Sequence, residues 1–544
     1  MNFKPPAKLK RHYIGILLII SLVLLRLPAL GHDNFNTDAW KWKTRIYDFG
    51  TGVFTLDFEK TSQKYHPGVT LMWVGAGAVK VFNLYNEVVL GSAPQDNDIS
   101  TIFLLDFFQK LFIVVAIAIS LAIGLYPLKK MFGSKYFAFA YLLVMLEPFF
   151  VALTRVVHLE GLLTTFMLSS AVWFYYWWSS GRVSKPAFAI SAIFASLAVL
   201  TKISALFLLP FTGVALFTLF FLEAKNFVGA LKKSLRVYLP WLGIFLLGFV
   251  VLWPAMWVAP ISTVSYIFDR GILSTGIEAG HEQFYFGNLV TNPGVFYYFV
   301  VLVLRSSIYL IPGLLLFAFT YKKFSQEPLR KFAVFLFAFS LSYLLFLIVP
   351  TKKLDRYLLP SLIGFLLVAA SSYYLLLQKF KVYVLGLFLI PALLFLAQVH
   401  PDYFSYYNPL FGGLRLGVHA LEPKWLVGQP QITKYLVSLK EQDNLADFAP
   451  GESFDHMLRS RELQNRLVVG FPEKYYTQIW PFVREVGGWA VIADMTAHAK
   501  EADYFVYPVW DDPGAHEDRF KLEFVGTISV RGVELYNVYQ RLWD

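Results

Sequence analysis

Apolar residues along this chain come in long unbroken runs rather than in narrow amphipathic stripes. A run of about 18 or more apolar residues has the length to cross a hydrocarbon core as a helix. The pattern predicts eleven membrane helices, near residues 12–30, 102–125, 136–155, 160–178, 185–200, 203–222, 237–257, 295–320, 332–349, 357–377 and 382–399. Between 31 and 101 lies a long loop with one shorter apolar segment, VTLMWVGAGAVKVF, opened by His66, Pro67 and Gly68. At about 14 residues it is short for a span and suits a helix lying at the membrane surface.

After residue 400 the pattern changes. NRLVVG, WAVIAD, ADYFVYPV, KLEFVGTISV and VELYNVYQ read as short strands, with helical patterns at 431–442 and 474–486 between them. The expected fold class is therefore a polytopic α-helical membrane protein. Residues 1–399 form the membrane domain, with juxtamembrane helices in the outer loop 31–101, and residues 400–544 form a small α/β domain. No internal repeat or low-complexity segment is evident, which disfavours several transporter folds built on inverted repeats.

Composition sharpens this. The chain of 544 residues is 57% hydrophobic and 16% charged, against roughly half apolar and a quarter charged in soluble domains. It has no cysteine, which excludes disulfides, thiolate metal sites and a cysteine nucleophile. The first apolar run follows Lys4, Lys8, Lys10 and Arg11 without a small-residue cleavage site, so it reads as a retained first helix rather than a signal peptide. The net charge of +11 could signal nucleic acid, but its distribution does not. With the N-terminus in the cytoplasm, residues 1–11, PLKKMFGSK, SSGRVSK, EAKNFVGALKKSLR, KKFSQEPLRK and QKFK all fall on the cytoplasmic side, and each carries Lys or Arg. This is the positive-inside pattern, and no nucleic-acid partner is expected. The other face gathers most of the acids together with His32, His66, His158, His281 and His400.

Candidate chemistry sits on that outer face. NFNTDAWKWKTR offers Asp38, Trp40 and Arg45: a carboxylate to take a hydroxyl proton, beside aromatics that can grip a sugar face. Asp38 is equally placed to cap the helix that follows it. His66 precedes a helix N-terminus, where a phosphate would find free N–H groups, though a surface turn explains it as simply. Lys202 lies between two spans, and Lys352, Asp355 and Arg356 crowd TKKLDRYLLP, as phosphate partners or as interfacial anchors. Asp355 could neutralise Arg356 locally. Arg305 lies inside a span, where a charge reads as functional by default, with simple pairing to an acid such as Asp106 or Glu147 as the alternative. Arg155, His158 and Glu160 cluster in TRVVHLEG, whose spacing is not a strong zinc pattern. No Walker loop, GxGxxG after a strand or GxSxG occurs, so nothing marks a soluble nucleotide as donor.

Together, TDAW, HPGVT, the R-x-x-H-x-E-G-L-L-T-x-F pattern from Arg155, LTKISA with Lys202, TKKLDRYLLP and HPDYFSYYNPLFGG occur in an order that resembles the C-type glycosyltransferase superfamily. The likeness is to the dolichyl-phosphate-mannose protein mannosyltransferase-like group, which also holds the aminoarabinose transferases, and it covers roughly residues 10–415. The resemblance implies an inverting glycosyltransferase of the outer face of the plasma (inner) membrane. It would move a sugar from a polyprenyl-phosphate donor to a hydroxyl of a protein, lipid or glycan. Asp38 is then the catalytic base. His66, Lys202, Lys352, Arg356 and Arg45 face the donor phosphate, and Glu160, His158, Arg155, Trp40, Tyr357, His281 and Glu282 face acceptor or sugar. The chain departs from the family at Ala39, where a second acid is usual, and at Glu160, where Asp is commoner. No cofactor is fixed by this reading, although a divalent cation is possible in the family. Two other classes fit a polytopic chain with outward charges: a transporter or lipid-linked sugar flippase, and a non-catalytic scaffold with an outer binding domain.

Overall fold

The computed structural model describes residues 7–94, 98–271, 282–323, 326–380, 382–449, 452, 465–495, 499–514 and 520–542. Its helices in chain order begin with α1 (Ala7–Arg26), α2 (Ala39–Phe54), α3 (Val69–Tyr85), α4 (Ile99–Met145) and α5 (Pro148–Thr154). Then come α6 (Glu160–Ser179), α7 (Lys185–Thr201), α8 (Leu208–Ala224), α9 (Phe227–Leu252), α10 (Ala255–Val258) and α11 (Pro260–Tyr266). They continue as α12 (Tyr297–Arg305), α13 (Leu310–Thr320), α14 (Glu327–Ile348), α15 (Leu359–Leu377), α16 (Val382–Val399), α17 (Gly413–Ala420), α18 (Gln429–Gln442) and α19 (Glu473–Glu485). The surface helix expected over 69–82 is α3.

Each predicted run falls on helix, but the helices are not eleven uniform rods. Among the described residues five are long and apolar enough to cross a membrane, or six if the bent pair α12–α13 counts as one. The runs near 102–125 and 136–155 meet inside α4 at Gly133, whose φ of 87° breaks the helix. The second of them ends at Met145, because Glu147 precedes Pro148 and Pro opens α5 at its first turn. The run 295–320 is not one straight span: α12 and α13 meet at 107°. Breaking a helix at membrane depth frees backbone groups that need partners. Here Ser307 N donates to Glu147 Oε1 at 2.8 Å, and Asn408 N donates to Leu304 O at 2.7 Å. Leu246, Leu247 and Val251 on α9 and Leu394 on α16 are exposed. Apolar surface of this kind needs lipid to cover it, and the chain is an integral membrane protein.

Beyond α16 the chain builds a five-stranded sheet from β3 (Val468–Phe471), β4 (Trp489–Ile492), β5 (Tyr504–Pro508), β6 (Leu522–Val530) and β7 (Val533–Arg541), while β1 (Gln283–Tyr285) and β2 (Asn288–Val290) form a hairpin in the earlier loop. The order is β4-β3-β5-β7-β6. β3 is parallel to β4 and β5, and α19 makes the crossover from β3 to β4. β3 and β5 lie inside the sheet and are buried along their whole length, while β5 and β6 each pair antiparallel with β7. The β6–β7 hairpin turns on Arg531 and Gly532, with φ of 52° and 74°. Two left-handed residues in a two-residue loop match the twist of the strands. That turn presents Arg531 to the end of α16, where Nη2 donates to Val399 O at 2.8 Å. The hairpin β1–β2 bridges to Leu421, and Phe286 N donates to Ala420 O at 3.0 Å.

Candidate active site

Asp38 stands at the N-cap position of α2 but makes no capping hydrogen bond. Asn36 takes over the turn: its Oδ1 accepts from Asp38 N at 2.9 Å and its carbonyl from Ala39 N at 2.9 Å. The capping role is thus overturned, and the Asp38 carboxylate is left for other partners.

The nearest distant partners come from two segments. His158 Nε2 lies 3.5 Å from Asp38 Oδ2, and Arg356 Nη2 lies 3.6 Å from the same oxygen. The other nitrogen of His158 meets Glu160 Oε2. Glu160 Oε1 accepts from Lys202 Nζ at 2.8 Å and lies 3.5 Å from Arg356 Nε. Lys202 sits 3.8 Å over the Tyr357 ring. Asp38, His158, Glu160, Lys202, Arg356 and Tyr357 therefore form one cluster.

Local structure explains the convergence. Gly68, at φ 62°, touches Trp42 so closely that a Cβ would come within 2.3 Å of the ring, so only glycine seats α2 against the start of α3. Gly68 N donates to Thr201 O at 3.1 Å, and the Thr70 and Thr201 hydroxyls bond at 2.6 Å. These ties bring His66 beside Lys202. His66 is half-buried, and its buried Nδ1 makes no hydrogen bond among the described residues. Burial, helped by the charges of Lys202 and Lys352, pushes its pKa well below the ordinary value, so it is a neutral ring that can donate one hydrogen bond. Lys352 is half-buried, and its charge reaches both His66 and Tyr357.

Arg356 is free to serve this cluster because Asp355 is engaged elsewhere. Asp355 Oδ2 pairs with Arg305 Nη2 at 3.1 Å. Arg305 also donates to Phe404 O at 2.9 Å and Tyr406 O at 3.1 Å. Neither Asp106 nor Glu147 is its partner, since Asp106 is held by Lys43 at 2.7 Å and Lys110 at 2.6 Å. Asp355 touches Arg356 only through the backbone, accepting from Arg356 N at 2.7 Å.

Other candidates lie apart from the cluster. Arg155 is buried in a clamp: Nε and Nη2 donate to Asp33 Oδ2 at 3.1 and 2.9 Å, Nη1 to Arg26 O at 2.5 Å and Nη2 to Pro28 O at 2.8 Å. With its guanidinium spent on protein it does not reach a substrate. Trp40 is not an open platform either. Its Nε1 donates to Thr477 O at 2.7 Å, and its ring stacks on Phe35 and packs on Trp480. Arg45 lies 4.6 Å over the Trp42 ring, within electrostatic range of Asp38. Glu282 is exposed just ahead of β1, and His281 lies outside the described residues. Sequence reading missed Trp425, whose ring stands edge-on to His158 at 5.2 Å with the Arg356 guanidinium 5.2 Å over it. Nothing in the linear order of the chain announces that a residue beyond α16 and α17 roofs the cluster.

Electrostatics set Asp38 apart. Burial would raise its pKa, but the His158 hydrogen bond and the charges of His158, Arg356 and Lys41 hold it well below the ordinary carboxylate range. Its side chain is 32% exposed, against 5% for His158, 12% for Arg356 and none for Glu160. A divalent cation does not suit this donor set. The Glu160 oxygens face Lys202, His158 and Arg356, and among the described residues no three His, Asp or Glu side chains are grouped to hold a metal.

No protein-family model matches the chain, and no curated protein matches it. Among solved structures it is similar to ArnT from Cupriavidus metallidurans in the apo state, at TM-score 0.48 and 12% identity over 97% of this chain and 98% of that one. The same protein bound to undecaprenyl phosphate gives TM-score 0.45 and 11% identity over the same shares. The archaeal oligosaccharyltransferase AglB from Archaeoglobus fulgidus, in complex with an inhibitory peptide and a dolichol-phosphate, gives TM-score 0.40 and 14% identity over 97% of this chain and 74% of that one.

Proposed function

We propose that the chain is an inverting glycosyltransferase that moves a sugar from a polyprenyl-phosphate donor to an acceptor hydroxyl at the extracytoplasmic face of the inner membrane. The observation that carries the reading is the Asp38 cluster: one ionised, partly exposed carboxylate freed from capping, beside three cationic side chains and a neutral histidine. Asp38 takes the acceptor hydroxyl proton. The hydroxyl oxygen attacks the anomeric carbon, and the bond from that carbon to the phosphate oxygen breaks. The polyprenyl phosphate leaves with the electron pair. Lys202, Arg356 and Lys352, with the His66 N–H, face the charge that grows on it, where fixed cations in a partly dry site are effective.

A carboxylate held this strongly ionised is a weak base. The donor resolves the difficulty, because its phosphate competes for Arg356 and thereby loosens the grip on Asp38. The base is strengthened only when donor is present. His158, bridging Asp38 and Glu160, orients the carboxylate, and Tyr357 supports Lys202. The test is incubation of purified protein with a panel of radiolabelled polyprenyl-phosphate hexoses and pentoses, following release of polyprenyl phosphate. Turnover of at least one donor, lost in Asp38→Asn, supports the reading. No turnover across the panel, or turnover equal in the variant, sinks it.

A further inference from the structure

The segment carrying Asp38 lies between two rails. On one side Asp33 meets Arg155, Asn36 Nδ2 donates to Val157 O at 3.3 Å, and Asp38 meets His158, the two sets of numbers rising together. On the other side lies α19, running the opposite way. Glu485 pairs with His32 at 2.8 Å, Gln478 Nε2 donates to Thr37 Oγ1 at 3.0 Å, and Thr477 O accepts from Trp40.

Gln478 has a reach the other members of this rail lack. It is 1% exposed, and its amide is engaged at both ends. Nε2 donates to Thr37 Oγ1 and to Lys474 O at 2.8 Å, while Oε1 accepts from Leu426 N at 2.9 Å. Thr37 is the neighbour of Asp38, and Leu426 is the neighbour of Trp425, the roof over His158 and Arg356. Leu426 O in turn accepts from Asn34 Nδ2 at 2.9 Å, closing the circuit back to the Asp38 segment. One buried amide thus ties the chain bearing the carboxylate to the chain bearing its aromatic cover. Leaving a buried amide half-satisfied is costly, so the two chains are held at the spacing the amide dictates.

We propose that Gln478 is a positioning residue for the transfer reaction, fixing Asp38 against His158 and Arg356 and seating Trp425 above them, and that this is what the C-terminal domain contributes to the site. The catalytic half of the proposal rests on the proposed function; the structural half does not. The experiment separates them. Gln478→Leu and Gln478→Met keep most of the volume and lose the amide. Glu485→Gln removes only the charge of the half-exposed pair with His32 on the same rail and serves as control. Amide hydrogen exchange is read over residues 32–42 and 421–428. The rate constant, the donor KM and the pH–rate profile are read with whichever radiolabelled polyprenyl-phosphate sugar the wild type turns over.

Both Gln478 variants are expected to exchange faster in those two stretches only. Their kcat should fall about tenfold or more, the cost of a small misplacement of a reacting group, while donor KM stays within about twofold. The acid limb of the profile should move to higher pH, because Asp38 loses the partners that keep it ionised; loss of stability alone would not move it. Glu485→Gln should do none of this. Unchanged exchange in folded Gln478 variants overturns the proposal, and so does faster exchange with unaltered kcat. If the wild type turns over no donor, faster exchange still supports the fixing of Thr37 and Leu426, and it is the proposed function that fails.

Discussion

His158 Nε2 lies 3.5 Å from Asp38 Oδ2, while its other ring nitrogen is held by the fully buried Glu160. With a carboxylate facing each of its nitrogens, the ring is oriented, and the direction of the Asp38 carboxylate is set by a group 120 positions along the chain. Asp38→Asn keeps the size of the side chain and removes the base. Turnover should fall by at least about a hundredfold at every donor concentration, the usual weight of a positioned general base. Steady-state rates at saturating donor, with gel filtration to show a folded variant, check it. Near-normal turnover would move the base elsewhere, with Glu160 next in line, although its oxygens already face Lys202, Arg356 and His158.

Arg356 carries the second prediction. Its guanidinium spans Asp38 and Glu160, a placement possible because Arg305 takes Asp355. Lysine in its place keeps the charge and loses the planar fork that matches two oxygens at once. Arg356→Lys should therefore cut kcat by about tenfold or more. A variant with wild-type kcat would reduce Arg356 to an interfacial anchor.

How far the sequence could be read depended on the range of the interactions. Strands such as ADYFVYPV and the helix after Pro472 are written in local periodicity, and the structure has them within a residue or two of their expected bounds. Asp38 could be named because TDAW opens a helix in the first loop, but its freedom from capping could not, since that depends on the Asn36 side chain turning back on the chain. Arg155 and His158 are three residues apart and looked like one cluster. In the fold one closes a clamp on Asp33 and the other faces Asp38. The bend between α12 and α13 is invisible in a run that is apolar throughout, because Glu147 and Asn408 stabilise it from far along the chain. Trp425 and Gln478 carry no local signal at all: Gln478 meets Thr37 across 441 positions.

Asp402 gives a prediction about pH. It follows α16 and is buried, and burial, with the nearby charge of Asp33, pushes its pKa from 3.8 up to about 6. Gly428 N, donating at 2.6 Å, and the charges of Arg531 and Arg305 oppose the rise. The folded protein therefore holds this proton over a range where the unfolded chain has lost it. Stability from this group is greatest near pH 4, declines as pH rises to about 6, and is flat above, a loss of up to about 3 kcal/mol. Asp402→Asn cannot ionise, and its amide oxygen can still accept from Gly428. The Tm of the variant relative to wild type should climb between pH 5 and pH 7.5. A constant difference across that range would refute the assignment.

The final prediction concerns which side of the membrane holds the site. Every segment that the expected topology puts opposite Asp38 carries Lys or Arg, and this bias orients polytopic chains with basic loops in the cytoplasm. The α19 contacts with residues 32–40 put the C-terminal sheet on the same side as Asp38. Because the chain has no cysteine, a single introduced one is a unique reporter. Val183 is 79% exposed in the basic turn between α6 and α7, and Asp511 is exposed at the end of β5. In intact cells with a permeabilised outer envelope, a membrane-impermeant maleimide should label Asp511→Cys and reach Val183→Cys only after lysis. The donor's sugar must then be presented from the outer leaflet, since the cations around Asp38 could not meet a phosphate on the far side of a hydrocarbon core about 30 Å thick. The reverse labelling pattern would place the cluster in the cytoplasm and require a donor drawn from the inner leaflet, which would remove the topological basis of the proposed reaction.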